Sequence, residues 1–224
     1  MSAINTSLVR LRRPKRANEG LTDALDEVER EAMIGAATLK LEELFAILQI
    51  DHQNDHNTRD TPKRVAKMYV EEIMSGRFCD PPAITEFENV ARFDSLIVTG
   101  PIEVRSTCAH HMMPIYGEAF IGILPAPDGR IIGLSKYDRV VHHFASRLQI
   151  QEELVTQIAE YLVEKTAPRG LAVRISAVHM CKTQRGVKSS IQSRMVSTLF
   201  HGAFHTDSAL KAEFLSECQV LSRG

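Results

Sequence analysis

Residues 95–108, SLIVTGPIEVRSTC, and 114–125, PIYGEAFIGILP, decide the fold class. Upstream of them apolar residues recur at helical spacing; here the period shortens to that of strands, whose alternate side chains share a face. The two strands are followed by the turn PAPDGR, 125–130. SKYDRVVHHFASR, 135–147, then carries Tyr137, Val140, Val141 and Phe144 at helical spacing. QEELVTQIAEYLVEKTA, 151–167, does the same with Leu154, Ile158, Tyr161 and Leu162, and Pro168 and Gly170 end it. LAVRISAVHMC, 171–181, alternates as a strand, SRMVSTLFHGAF, 193–204, is the last strand, and SALKAEFLSEC, 208–218, closes as a helix. Strands flanking a helix pair, ββααββ, predict an α+β domain with an antiparallel sheet and helices on one face.

Working back toward the N-terminus, LTDALDEVEREAM, 21–33, is charged and amphipathic, and LKLEELFAILQI, 39–50, repeats Leu41, Leu44, Phe45 and Leu48. DHQNDHNTRD, 51–60, is a polar loop. The next helix has Thr61 as its expected N-cap and Pro62 at the first helical position. It is expected to bury Val65, Met68, Tyr69 and Ile73 and to stop at Gly76. CDPPAITEFEN, 79–89, with Pro81-Pro82, is irregular and marks a boundary. The expected division is a flexible basic tail (1–20), a helical region (21–90) and the sheet-containing domain (91–224). There is no internal repeat, low-complexity block, GxGxxG or P-loop.

The chain has 224 residues, 44% hydrophobic and 25% charged, and a formal net charge of -1. That is enough to bury a core, and no overall field favours nucleic acid or a membrane surface. No apolar run approaches the ~18 residues of a spanning helix, and no secretory signal is expected. Four scattered cysteines, Cys79, Cys108, Cys181 and Cys218, suit a reduced compartment, so the expected location is cytoplasmic. Arg10, Arg12, Arg13, Lys15 and Arg16 are basic enough for a nucleic-acid arm or transit peptide; a solvated tail is the expectation.

Chemistry concentrates in STCAHHMMP, Ser106 to Pro114, and in VHMC, Val178 to Cys181. Cys108 and His111 form C-x-x-H, weak by itself. The strand is expected to run through Cys181, so that His179 and Cys181 share one face. Two thiolates and one imidazole with a fourth position open is a catalytic zinc arrangement. The alternative from spacing is that both cysteines are buried small hydrophobes and the histidines satisfied core groups. Zinc would lower the pKa of a bound water to ~7. His110 and His179 would then remain beside it as proton carriers.

A basic set accompanies these residues. Ser135 is expected to cap a helix beginning at Lys136, and such an N-terminus can hold an anion. Arg139 follows on the same turn, Arg64 and Lys67 lie three apart on the Thr61 helix, and Arg185 follows Cys181 by four residues. Each alone is more often a solvated surface charge. Glu152 opens a helix, where a carboxylate also simply suits the dipole. His142 and His143 read as surface or interface residues, and Cys79 and Cys218 as packing cysteines.

TPKRVAKMY, STCAHH, IGLSKYDRVV, QIQEELVTQI and VHMCKTQRGV, in this order across about 40–218, resemble the GTP cyclohydrolase I family. The resemblance implies a tunnelling fold, assembled as pentameric rings that pair into a homodecamer. It implies zinc on Cys108, His111 and Cys181. It further implies hydroxide addition at C8 of GTP, with formate release and rearrangement to 7,8-dihydroneopterin triphosphate. His179 and His110 would shuttle protons, with Ser135 also at the catalytic site. Glu152, assisted by Gln151, would read the guanine edge. Arg64, Lys67, Ser135, Lys136, Arg139 and Arg185 would hold the triphosphate, some from a neighbouring subunit. Two departures touch the surroundings of the metal: Ala109 stands where the family usually has Glu, and the run after Gly186 is VKSSIQS. A paralogue with altered substrate or product, another tunnelling-fold enzyme acting on a pterin or purine, and an inactive purine-nucleotide sensor are the alternatives.

Overall fold

The computed structural model describes residues 15–223, so most of the basic tail expected over 1–20 lies outside the described residues. The chain divides into two compact units, with the break between Asp80 and Pro81.

In the first unit, α1 (Glu27–Ile47) begins at a capping box: Glu29 N–H donates to Asp26 Oδ1 at 2.7 Å, and Asp26 N–H donates back to Glu29. The two amphipathic stretches seen in the sequence form this one helix. Only Ile34 is fully buried along it, and Leu44 and Leu48, expected in its apolar stripe, are exposed. Their stripe runs past the part of α1 that the small core of Leu25, Ile34, Ala66, Val70 and Phe78 covers. In α2 (Thr61–Met68) Asp60 rather than Thr61 holds the N-cap position, without a side-chain cap hydrogen bond, so Thr61 is its first residue and Pro62 its second. It buries Pro62, Ala66 and, one turn on, Val70, while Val65, Met68, Tyr69 and Ile73 are only half-buried. The chain widens into a π turn at Tyr69–Ile73 and makes one more turn, α3 (Ser75–Phe78), so Gly76 does not end it. The Arg77 guanidinium donates to the carbonyls of Arg16, Ala17 and Glu19 at 2.6, 3.2 and 2.8 Å.

The second unit opens with β1 (Glu86–Glu88), β2 (Ile97–Cys108), β3 (Pro114–Leu124) and β4 (Arg130–Ile132). They are followed by α4 (Ser135–Ala145), β5 (Leu148–Gln149), α5 (Gln151–Thr166) and β6 (Gly170–His179). The short α6 (Met180–Thr183), β7 (Arg194–Gly202) and α7 (Ser208–Leu221) complete it. Among the described residues β1 and β4 pair by themselves, and the main sheet has the order β5-β2-β3-β6-β7. The four long strands are antiparallel neighbours, in the ββααββ order expected. The two-residue β5, unforeseen, runs parallel to β2 and pairs Cys108 with Gln149.

Strand alternation decides the layers. Ile102 and Val104 of β2, Ile115, Ala119, Ile121 and Ile123 of β3, and Leu171, Val173, Ile175 and Ala177 of β6 form one core. They pack with Val140, Val141 and Phe144 of α4 and Leu154, Ile158 and Leu162 of α5. Burying each large side chain here contributes roughly 1.5–3 kcal/mol. α5 ends at Thr166, and its C-cap Ala167 lies in the left-handed region at φ 42°, just before Pro168. The even-numbered residues Phe120 and Leu124 face the other way and meet Phe204 and, from α7, Leu210, Phe214 and Cys218. A Cβ on Gly122 would come within 2.6 Å of the Phe214 ring, so the glycine makes room for α7 against the sheet. The helix pair therefore covers one face as expected, and the closing helix adds a cover over part of the other. Among the described residues no helix is long and apolar enough to cross a membrane.

Two side chains depart from expectation. His143 is buried rather than at the surface, because the inward face of α4 includes it beside Phe144. Cys79 is exposed rather than packed, whereas Cys218 is buried.

Candidate metal centre

β2 delivers Cys108 at its last residue, with the side chain buried. A tight turn follows: Cys108 N–H donates to Met113 O at 2.8 Å, and Met112 N–H donates to Cys108 O at 2.9 Å. Ala109 N–H is tied to Gln149 O at 3.0 Å, so β5 holds the near side of the turn. β6 brings His179 opposite Ile115, near the start of β3. The strand does not continue to Cys181. β3 begins at Pro114, which has no N–H to extend a ladder, and Met180–Thr183 coils into a helical turn. Cys181 therefore reaches the site from α6, not from the shared strand face expected.

Cys108, His111 and Cys181 come together nonetheless. The ligand atoms of Cys108, His111 and Cys181 all lie within 4.8 Å of one another. Ligand atoms on a tetrahedral zinc are roughly 3.5–3.8 Å apart, so only a small contraction separates this cluster from a closed site. Two sulfurs and one imidazole nitrogen also match the donor preference of zinc, leaving a position for solvent. Burial raises the pKa of the Cys181 thiol, the nearby Cys108 thiol adds to this, and Arg185 opposes it.

The remaining histidines flank the triad. His110 is exposed and its Nδ1 lies 3.8 Å from Cys108 Sγ. His179 is half-buried, and its Nε2 meets Gln151 Oε1 at 2.8 Å. Gln151 is 1% exposed. Its amide nitrogen donates to the carbonyls of Ile175 and Met195 at 3.2 and 3.1 Å, with Ser197 Oγ at 3.2 Å. Two carbonyl partners accept only, so the amide orientation is determined and Oε1 must face the ring. His179 consequently carries its proton on Nε2 and its lone pair on Nδ1. Burial lowers the His179 pKa, Glu152 pulls it up and Lys182 down. Gln151 was singled out for the substrate edge, whereas its amide is engaged by the protein. Its tautomer-setting contact carried no sequence signal beyond its place next to Glu152.

Glu152 sits in the first turn of α5, exposed. Ser135 is the first residue of α4 rather than its cap; Leu134 holds that position in helical geometry, and no side chain caps the helix. Ser135 and Arg139 are exposed and Lys136 is half-buried. Arg185 places Nη1 2.8 Å from His111 Nε2. Arg64 and Lys67 belong to the first unit, exposed and three apart, with Asp60 and Glu71 each 3.5 Å away.

Residues 38–219 match the sequence model of the family described as GTP cyclohydrolase I. The chain is 42% identical over 158 residues to GTP cyclohydrolase 1 of Carboxydothermus hydrogenoformans, covering 70% of this chain and 81% of that protein. It is 40% identical over 180 residues to GTP cyclohydrolase 1 of Shewanella denitrificans, covering 80% and 81% respectively. A solved archaeosine synthase, QueF-Like in its apo form, aligns with 50% of this chain and 95% of its own at 14% identity. Its TM-score of 0.38 is too low to bear on fold or function.

Proposed function

Because this chain belongs to the GTP cyclohydrolase I family and is a GTP cyclohydrolase, we propose that it converts GTP to formate and 7,8-dihydroneopterin triphosphate with zinc as cofactor. The observation that carries this reading is the convergence of Cys108, His111 and Cys181, with His110 beside Cys108 and His179 two residues before Cys181. Zinc held by that triad would supply a Lewis acid and a water activated at neutral pH.

The protein's own groups do the rest. His179, with Nε2–H held by Gln151, offers Nδ1 as a base and, once protonated, as an acid. His110 is the second proton carrier, since ring opening and reclosure both need protons moved. The exposed Glu152 carboxylate accepts from N1–H and the exocyclic amine of guanine. Ser135, Lys136 and Arg139 on the first turns of α4, and Arg185 beyond α6, are assigned to the triphosphate. Arg64 and Lys67 are assigned to it on the family resemblance. The proposed setting is a cytoplasmic homodecamer of two pentameric rings.

A second reading rests on Ala109. The methyl group next to Cys108 cannot hold a neighbour as a carboxylate would, so a paralogue that stops at a formylated, ring-opened product is the competing proposal. Incubation with GTP, followed for formate and for pterin absorbance, separates the readings. Both products support the full reaction. Neither product, with GTP nonetheless consumed on chromatography, supports the truncated one, and GTP left intact supports a nucleotide-binding module without turnover.

A further inference from the structure

The contact between Arg185 and His111 has a chemical consequence for metal loading. A guanidinium has N–H donors and no acceptor, so at 2.8 Å His111 Nε2 must be the accepting, unprotonated nitrogen. Nδ1 then carries the ring proton. A metal needs a lone-pair nitrogen, and two routes exist. Binding through Nε2 takes the lone pair that Arg185 occupies. Binding through Nδ1 moves the proton to Nε2, which would then point an N–H at an N–H. Both routes expel Arg185 from His111.

We propose that Arg185 and the metal compete for His111, and that an oligophosphate bound by Arg185 relieves the competition, so metal and triphosphate binding reinforce each other. This rests on the reading of Cys108, His111 and Cys181 as a zinc site and of Arg185 as a phosphate ligand. Linkage makes the effect reciprocal: the factor by which triphosphate tightens zinc is the factor by which zinc tightens triphosphate. Arg185 Nη1 lies 2.8 Å from His111 Nε2, so its departure on loading is a local rearrangement rather than a distant one.

The test uses the full-length protein, inorganic triphosphate and zinc, with free zinc set by a metal buffer so that chelation by triphosphate itself does not enter. Saturating triphosphate should tighten zinc binding about tenfold, within the usual range of coupling between sites. Arg185→Ala should bind zinc more tightly than the native protein without triphosphate, and should lose most of the response to it. A purely electrostatic benefit of the anion would persist in Arg185→Ala and so overturn the competition, as would weaker zinc binding by the variant. Nitrogen NMR of the metal-free protein adds a readout free of zinc. His111 should carry its proton on Nδ1 and shift toward the Nε2–H form in Arg185→Ala; an Nε2–H ring in the native protein overturns the contact itself. If the native protein takes up no zinc, the metal reading fails. If zinc binds with one affinity whether or not triphosphate is present, only the coupling fails.

Discussion

Cys181 lies on a helical turn two residues beyond His179, where burial favours its neutral thiol. A bound dication reverses that preference, because the thiolate is the ligand. Cys181→Ser is therefore expected to drop from about one zinc per chain to near none and to lose turnover, with its circular dichroism unchanged. Full zinc occupancy in the variant would remove Cys181 from the site. Glu152 allows a separate check at the same scale. A site built to pair its carboxylate with guanine donors should discriminate against ATP by roughly 10⁴ in kcat/KM, and Glu152→Ala should abolish that discrimination. Comparable native rates on GTP and ATP would sink the assignment. The convergence of Cys108, His111 and Cys181 was legible because the two Cys/His pairs are short local motifs whose chemistry is restrictive. The roles of Gln151 and Arg185 toward His179 and His111 were not, because each depends on contacts between segments 28 and 74 residues apart.

On α4, His143 faces inward, and its Nε2 accepts from Arg147 Nη2 at 2.7 Å. Burial, with smaller help from Arg147 and His142, pushes its pKa down to about 4. The unfolded chain, near 6.5, takes up this proton first, so the unfolded state gains as the medium becomes acidic. The stability associated with neutral His143 should be complete above about pH 6.5 and decline as pH falls toward 4. Melting temperature recorded across that window should fall less steeply in His143→Gln; an unchanged slope would show that other groups set it. Helical spacing had marked the apolar face of α4 through Val140, Val141 and Phe144, but a histidine at its margin carries no sign of which way it turns. The same limit applies to α1, where a regular stripe extends past its partner and leaves Leu48 58% exposed. Periodicity shows which face is apolar and not how far a neighbour covers it. β5, with two residues, is too short to show a period. The run AFIGIL, 119–124, by contrast, is apolar on both faces, the pattern of a strand covered twice, and α7 is the second cover.

At the scale of the whole molecule, the main sheet ends at β7 on one side, among the described residues, and at the short β5 on the other. β7 exposes Met195 and Val196, and an open groove of about 580 Å³ lies between β7 and α5, where Val163, Leu199 and Phe200 meet Glu160, Glu164 and His201. Unpaired edges and apolar side chains of this kind invite sheet-to-sheet association with another copy. Successive copies joined edge to edge close into a ring when the rotation permits. That is the assembly proposed here, and it sets up the expectation that each active site draws on two subunits. His110→Ala removes a proton carrier and Arg139→Ala removes a phosphate contact, so each variant alone should be inactive or nearly so. Unfolded together, mixed and refolded, the two should recover part of the native rate, because some interfaces then combine an intact metal half with an intact phosphate half. With equal mixing and each half drawn at random from the two chains, about one interface in four is wholly intact, so recovery near a quarter of the native rate is expected. A mixture as inactive as its parents, with assembly confirmed by sedimentation, would place both halves of the site on one chain.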